Sequence, residues 1–295
     1  MGKQKFEVIL PPSTKQFHKV LREIAVLEGG KREQEIFRDW LEMAYCAYAK
    51  VSALHHFELE KADKLEARYM RIVGTYRKKD AVRMMPRLNA IAQVGVEYGM
   101  DFLGVVAAEI GSLDGYMGQF FTPMSVCELI ARMTISPEQI QKVLDGENGY
   151  ETFYEPAVGA GAMILAIHKV LMEYQIVDPM KYMLVYAADV SPVAYYMCYL
   201  QFTWAGIPAL VCRENSLSLE RFEEAWTVHK MIFQLYYPTL FDTPSSIRRR
   251  EEAEIRQQEE EQEEMGGLLD ELIWHVKNSA TRIKQTSMFD WMRDK

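Results

Sequence analysis

No run of apolar residues in this chain approaches the roughly 20 that a membrane span requires. The start, Met1-Gly2-Lys3-Gln4-Lys5-Phe6, also lacks the apolar stretch of a signal peptide. No membrane partner is expected, and a cytoplasmic location is. Cysteine is scarce: Cys46, Cys127, Cys198 and Cys212 stand without CxxC or Cys/His ligand spacing. That pattern argues against a zinc site or a disulfide framework, and the apolar and aromatic neighbours of each mark them as reduced core residues. No metal is expected. Net positive charge is missing too. The chain carries −8, the wrong sign for gripping phosphates, but Glu251 to Glu264 holds eight glutamates against the single Arg256. That segment contributes −7 and leaves −1 for everything else. A near-neutral body with local basic patches is compatible with DNA. Candidate patches are Arg68, Arg71, Arg77, Lys78, Lys79, Arg83 and Arg87, and the run Arg248-Arg249-Arg250; each reads equally well as a solvated helix face.

With 49% hydrophobic residues over 295 positions the chain has enough apolar material for one medium core, a helical module and a tail. From Ser13 to about Gly111 the pattern is helical. Ile36, Phe37, Trp40, Leu41, Ala44 and Tyr48 form one stripe at period 3.6. Helices follow around Lys61 to Tyr76 and Met85 to Tyr98, with Pro86 suited to a first turn, and another from Asp101 to Gly111. Residues 1 to about 115 are therefore expected to be an all-helical module. After a loop from Gly115 to Pro123, a helix is expected over Met124 to Thr134, capped by Thr122 or a neighbour, with Pro123 in its first turn. The period then changes. Tyr150 to Tyr154 reads as a strand, Ala162 to Gln175 as a helix, Tyr182 to Ala188 as a strand, Val193 to Ala205 as a helix and Ala209 to Cys212 as a strand. This alternation predicts an α/β domain with a parallel sheet covered on both faces. Past Asn215 one further strand is expected, Met231 to Tyr236. The expected domains are the helical module over 1–115, the α/β domain over 116–244, a charged linker or helix over 245–277, and a flexible tail over 278–295.

The turn Glu155-Pro156-Ala157-Val158-Gly159-Ala160-Gly161 runs from strand to helix. Its glycines let the main chain turn tightly and approach a ligand, and the helix start supplies N–H groups. The dinucleotide fingerprint would place a third glycine where Ile164 stands, so a pyrophosphate cradle is disfavoured and a cofactor without one is expected. S-adenosylmethionine fits. The second strand ends in Asp189, 28 residues after Gly161, where a carboxylate can accept hydrogen bonds from ribose hydroxyls. Asn215 ends the third strand and offers an amide to an adenine edge. Each of these residues taken alone reads as readily as a turn or a helix cap; three strand ends together favour a pocket.

At these residues a resemblance becomes specific. Gly118-Gln119-Phe120-Phe121-Thr122-Pro123, the Glu155 to Gly161 turn, and Ala188-Asp189-Val190-Ser191-Pro192 resemble the modification subunits of type I restriction systems and related N6-adenine DNA methylases, over about Asp101 to Leu217. The resemblance implies a Rossmann-like S-adenosylmethionine-dependent methyltransferase domain, shortened here, behind the helical module. By position it implies a cofactor site of Phe121, Thr122, Pro123, Glu155, Gly159, Gly161, Asp189 and Asn215, with DNA as partner. One element of that family is missing. Adenine-N6 transfer requires a poorly nucleophilic amine to be held in line with the methyl group, usually on a flipped base. The family holds it with Asn/Asp-Pro-Pro-Tyr/Phe, expected after Asn215. The only Pro-Pro here is Pro11-Pro12, and only 27 residues separate Leu217 from Pro244. Two readings stay open. One is a cofactor-binding relative that is catalytically impaired or needs a partner subunit to complete the domain; the other is an active adenine methyltransferase using Tyr236, Tyr237, Asp242 or a partner chain to hold the amine. Loss of the orienting acceptor favours the first. Finally, Gln285-Thr286-Ser287-Met288-Phe289 resembles the bacterial sliding-clamp-binding pentapeptide, which implies clamp contacts through Gln285, Met288 and Phe289. Packing of this tail back onto the helical module is the alternative.

Overall fold

Helical segments bury one stripe each, and their order is set by which stripes meet. The computed structural model describes residues 14–111, 122–145, 149–174 and 178–241. The first five helices are α1 (Thr14–Glu28), α2 (Glu33–His55), α3 (Leu59–Val73), α4 (Lys79–Glu97) and α5 (Phe102–Ile110). Of the stripe expected on α2, Ile36, Phe37, Trp40, Leu41 and Ala44 are in the core and Tyr48 is half-buried, while Met43, Tyr45, Cys46 and Ala49 are buried off that stripe. Phe17 of α1 lies edge-on to Trp40 with ring centroids 5.0 Å apart and to Phe102 of α5 at 5.8 Å. The Trp40 indole N–H finds a partner in the side-chain Oδ1 of half-buried Asn89 on α4 at 2.7 Å. One expectation about this region is corrected. Pro86 sits in the middle of α4, which starts at Lys79 rather than at Met85. The packing of Ala81, Met85 and Leu88 along one face outweighs the one backbone hydrogen bond that Pro86 removes.

Two helices, α6 (Met124–Thr134) and α7 (Pro137–Leu144), lead into the sheet. Pro123, not Thr122, occupies the N-cap of α6. α7 was not foreseen, although Ser136 and Gln139 form a capping box at its start. Then come β1 (Glu151–Glu155), α8 (Ala162–Glu173), the short α9 (Pro179–Tyr182), β2 (Met183–Asp189), α10 (Pro192–Trp204), β3 (Ala209–Asn215), β4 (Glu220–Trp226) and α11 (Lys230–Tyr236). β1, β2 and β3 are parallel neighbours with α8 and α10 as crossovers, the expected α/β arrangement of a Rossmann-like domain preceded by helices. Two corrections apply to its far end. β4 returns antiparallel along β3, making the sheet mixed; its sequence Glu220-Arg221-Phe222-Glu223-Glu224 is poor in strand formers, and such charge is typical of a solvent-facing edge. The segment Met231 to Tyr236, expected as a strand, lies within helix α11 and buries Phe233 against Tyr150. A seven-residue apolar segment carries no periodicity long enough to separate the two states.

α10 is buried from Ala194 to Trp204, between the sheet on one side and α2, α4 and α5 on the other. Its rings Tyr195, Tyr196 and Tyr199 surround Tyr45 of α2 with centroids 5.0–5.1 Å away. The polar ends of this cluster are satisfied together. The Tyr45 and Tyr195 hydroxyls pair at 2.7 Å, and Tyr45 donates to Glu223 of β4 at 2.9 Å. Arg68 of α3 joins Glu42 at 2.5 Å and Glu223 at 2.8 Å, and also reaches the Tyr196 hydroxyl. All four cysteines are buried and unpaired; burial pushes the Cys46 thiol up to about 12 and Cys212 to about 11, so they are packing residues rather than nucleophiles. Among the described residues no helix is long and apolar enough to cross a membrane, and no His/Cys/Asp/Glu group is arranged to hold a metal ion. Phe121, Asp242, Gln285, Met288 and Phe289, with the charged linker and the tail, lie outside the described residues.

Burial lowers the pKa of His56, His168 and His229 below the ordinary 6.5, and one buried ring nitrogen of His168 and of His229 has no hydrogen-bond partner. The unfolded chain therefore takes up protons on these rings at a pH where the fold still excludes them. Stability is unaffected above the unfolded value and falls as pH drops below about 6.5, by at most about 1.4 kcal/mol per histidine per pH unit. Asp101 and Asp189, whose pKa values burial raises, work in the opposite sense at lower pH, where taking up a proton relieves the fold. Urea midpoints measured between pH 7.5 and 5.5 are expected to decline through this window; a flat profile would show that these imidazoles are solvated.

Candidate functional site

The carboxyl ends of β1, β2 and β3 bring the turn residues together. The sheet is staggered: Glu155 pairs with Ala187, two residues before Asp189, and Asp189 pairs with Arg213, two before Asn215. From Glu155 the chain passes through Gly159 at φ +58° and Gly161 at φ +106° into α8. At Gly161 a side chain is excluded twice over. The backbone lies in the left-handed region, and a Cβ would stand 2.7 Å from the Phe202 ring of α10. The turn is pinned along its length. Glu155 accepts from the Ala157 N–H at 3.2 Å, Val158 N–H donates to the Ala188 carbonyl at 2.9 Å, and Ser216 donates to the Pro156 carbonyl at 2.6 Å.

Asp189 holds the turn from the second strand. Its Oδ2 accepts from Gly159 N–H at 3.0 Å and its Oδ1 from Ser191 N–H at 2.9 Å. Burial raises its pKa, opposed by the backbone hydrogen bonds from Ser191, Gly159 and Val190. Each oxygen keeps a second lone pair, so the carboxylate can support the turn and still accept from a hydroxyl pair. Asn215 is committed differently. Its Oδ1 accepts from Leu217 N–H at 3.0 Å and Ser218 N–H at 3.3 Å, shaping the β3–β4 turn, which leaves its amide N–H₂ for a ligand edge.

Thr122 and Pro123 stand at the start of α6 and line a cleft of about 400 Å³ with Asp101, Gly104 and Lys169. The glycine turn is not part of that wall, but one buried side chain joins the two. Gln201 of α10, fully buried, donates from Nε2 to the Ala160 carbonyl at 2.7 Å and to Asp101 Oδ1 at 2.8 Å, and accepts the Leu103 N–H at 3.1 Å. Asp101 in turn caps α5 by accepting from Gly104 N–H at 3.1 Å. Sequence reasoning passed over Gln201. The available signal was a single amide in the otherwise apolar and aromatic run Tyr195 to Phe202, where an uncharged polar group has to find partners. The weak catalytic candidates Tyr236 and Tyr237 stand elsewhere. Tyr236 donates to Asp178 at 3.2 Å, and Tyr237 packs on Tyr150 and donates to the Gly149 carbonyl. That is the amino end of β1, roughly 15 Å of strand away from Glu155.

The family profile described as N-6 DNA methylase matches residues 102–266, more than half of the chain. The chain belongs to the N-6 DNA methylase family. No curated protein matches it. Among solved structures it is similar to a modification subunit assigned to a type I restriction enzyme of Vibrio vulnificus YJ016, at 11% identity over 72% of this chain and 58% of that one, with a TM-score of 0.41. It is also similar to a protein of Listeria monocytogenes assigned to the class I S-adenosylmethionine-dependent methyltransferases, at 14% identity, 69% and 54% coverage and a TM-score of 0.29. A third is the methyltransferase subunit of a type I restriction-modification system from Streptococcus thermophilus, at 13% identity, 68% and 58% coverage and a TM-score of 0.30. The chain spans between 54% and 58% of the length of these proteins.

Two substitutions test how the site is held. Gly161→Ala is expected to cost about 2–4 kcal/mol, from the left-handed backbone and the contact with Phe202. Gln201→Leu strips partners from the Ala160 carbonyl, the Leu103 N–H and Asp101, and is expected to cost about 3 kcal/mol or more. Denaturant titration reads both; a loss below about 1 kcal/mol at Gln201 would mean that the three groups find other partners.

Proposed function

We propose that this chain binds S-adenosylmethionine at the carboxyl edge of its sheet and acts at DNA as a methylase-family protein that is catalytically impaired or depends on a partner subunit. The observation that carries the reading is the pinned Gly159–Gly161 turn facing the Asp189 carboxylate. The residues fit the cofactor: two left-handed glycines keep the turn bare, Asp189 has lone pairs for ribose hydroxyls, and Glu155 and Asn215 add polar groups at the adjoining strand ends. When bound, the cofactor would supply an activated methyl group on its sulfonium. Phe121, Thr122 and Pro123 would close over it, as the family resemblance implies.

Impairment or partner dependence is argued from what would have to hold the amine. The chain has no Asn/Asp-Pro-Pro-Tyr/Phe. Among the described residues β1 is an edge strand, paired only with β2. Tyr236 and Tyr237 lie at the amino end of β1, away from the turn. A partner subunit adding groups beside β1 would restore the missing acceptor. The alternative, an active enzyme with non-standard amine-positioning residues, then rests on Asp242 or on a partner chain. The clamp-like peptide Gln285-Thr286-Ser287-Met288-Phe289 belongs to the same reading, as an address that would bring the protein to replicating DNA.

Calorimetry with S-adenosylmethionine, paired with a tritiated-methyl transfer assay on mixed-sequence DNA, separates the possibilities. The chain by itself is expected to give a heat of binding that Asp189→Ala abolishes, and no transfer. Asp189→Asn keeps an oxygen for one backbone N–H and is expected to weaken binding without losing the turn. Transfer by the chain alone, lost in Asp189→Ala, would establish the enzyme alternative. Absence of heat at millimolar cofactor would remove the cofactor reading altogether.

A further inference from the structure

Where α3 faces β3 and β4, a cleft of about 520 Å³ opens to solvent between Glu42, Lys64, Arg68, Arg71, Arg213 and Glu223. Four cations stand against two carboxylates, so the lining is net positive on a chain that carries −8 overall. Both carboxylates are engaged by Arg68, Glu42 at 2.5 Å and Glu223 at 2.8 Å. The other three cations are held loosely or not at all. Arg71 approaches Glu42 only at 3.5 Å, with 72% of its side chain exposed. Lys64 takes part in a surface pair with Glu60 that an incoming anion displaces at little cost. Arg213 has no carboxylate partner among the described residues; its buried Nε makes no hydrogen bond, and its guanidinium rests 5.2 Å from the Phe222 ring centroid.

Arg213 stands in register with Asp189 on one side and Glu223 on the other. One wall of the cleft thus comes from the strand position beside Asp189. An arginine without a carboxylate partner presents a planar fork that matches two phosphate oxygens, and a ring beneath it keeps the fork oriented. The cleft is open and lined by long side chains rather than by converging backbone N–H groups. That geometry suits a phosphate carried on a passing strand better than an enclosed free anion.

We propose that this cleft holds a backbone phosphate of DNA, gripped by Arg213 and Arg71 with Lys64 as a flanking charge. The inference rests on the DNA reading above and adds the surface by which a net acidic protein would make that contact. The test is a fluorescence-anisotropy titration of the full chain with a mixed-sequence duplex across a range of salt. Binding is expected to weaken linearly with salt on logarithmic axes. Arg71→Ala and Arg213→Ala are each expected to weaken it roughly threefold to tenfold and to lower the slope by about one. Arg132→Ala removes the same charge from an exposed site paired with Glu173, outside the cleft and the basic patches, and is expected to change neither quantity. Duplex binding that is unchanged in both cleft variants, or equally weakened by Arg132→Ala, overturns the cleft and leaves the DNA reading standing. No binding by the unaltered chain at low salt overturns both. Displacement of the duplex by stoichiometric inorganic phosphate would assign the cleft to a free anion and overturn the strand contact. Arg71 is largely exposed, so its variant tests the proposal without threatening the fold.

Discussion

A carboxamide with two hydrogens and an oxygen, placed where no water reaches, has to be satisfied by protein. Gln201 meets this condition through the Ala160 carbonyl, Asp101 and the Leu103 N–H, and the rest of the site depends on it. The same side chain fixes the middle of the glycine turn and the start of α5. Because α10 is buried on every side, the turn is set by the helical segment of residues 14–111 as much as by the sheet. A buried polar network of this kind tolerates no partial arrangement, since each unpaired member would carry its full desolvation cost.

A second polar junction lies at the other end of α10. Arg68, Glu42, Glu223 and the tyrosines Tyr45, Tyr195 and Tyr196 tie α2 and α3 to β4. Paired ions at partly buried sites contribute less to stability than their number suggests, because desolvation offsets much of the attraction. Their effect here is geometric. They hold α3 against the antiparallel edge and so shape a basic cleft in which Arg213, among the described residues, has no carboxylate partner.

The turn and the strand ends explain how a cofactor would be held; they say nothing of where a methyl group would go. The family membership concerns residues 102–266, whereas methyl transfer depends on an acceptor that orients the amine, and the sheet ends at β1 among the described residues. Holding a cofactor and placing an amine are separate geometric problems. The proposed site bears on the first alone.

Helix periodicity in α2, the β–α alternation from Tyr150 to Cys212, and the glycine turn with Asp189 were all legible in the sequence. Each is local: a stripe, a period or a spacing that a short segment carries by itself. Other features were decided by tertiary contacts. Pro86 is tolerated inside α4 because a packed face outweighs one lost hydrogen bond. Lys230–Tyr236 is helical because Phe233 needs to reach Tyr150, and charged β4 is a strand because β3 offers it an edge. Gln201 and Arg213 could not be singled out from composition, since what distinguishes them is a partner gained or missing across 98 residues for the Leu103 contact and between neighbouring strands for the other. The sequence by itself determined that a glycine turn runs from strand to helix ahead of Asp189; only the fold decided what holds that turn in place and which charge on the neighbouring strand lacks a carboxylate among the described residues, because burial and pairing belong to the assembled chain and not to any segment of it.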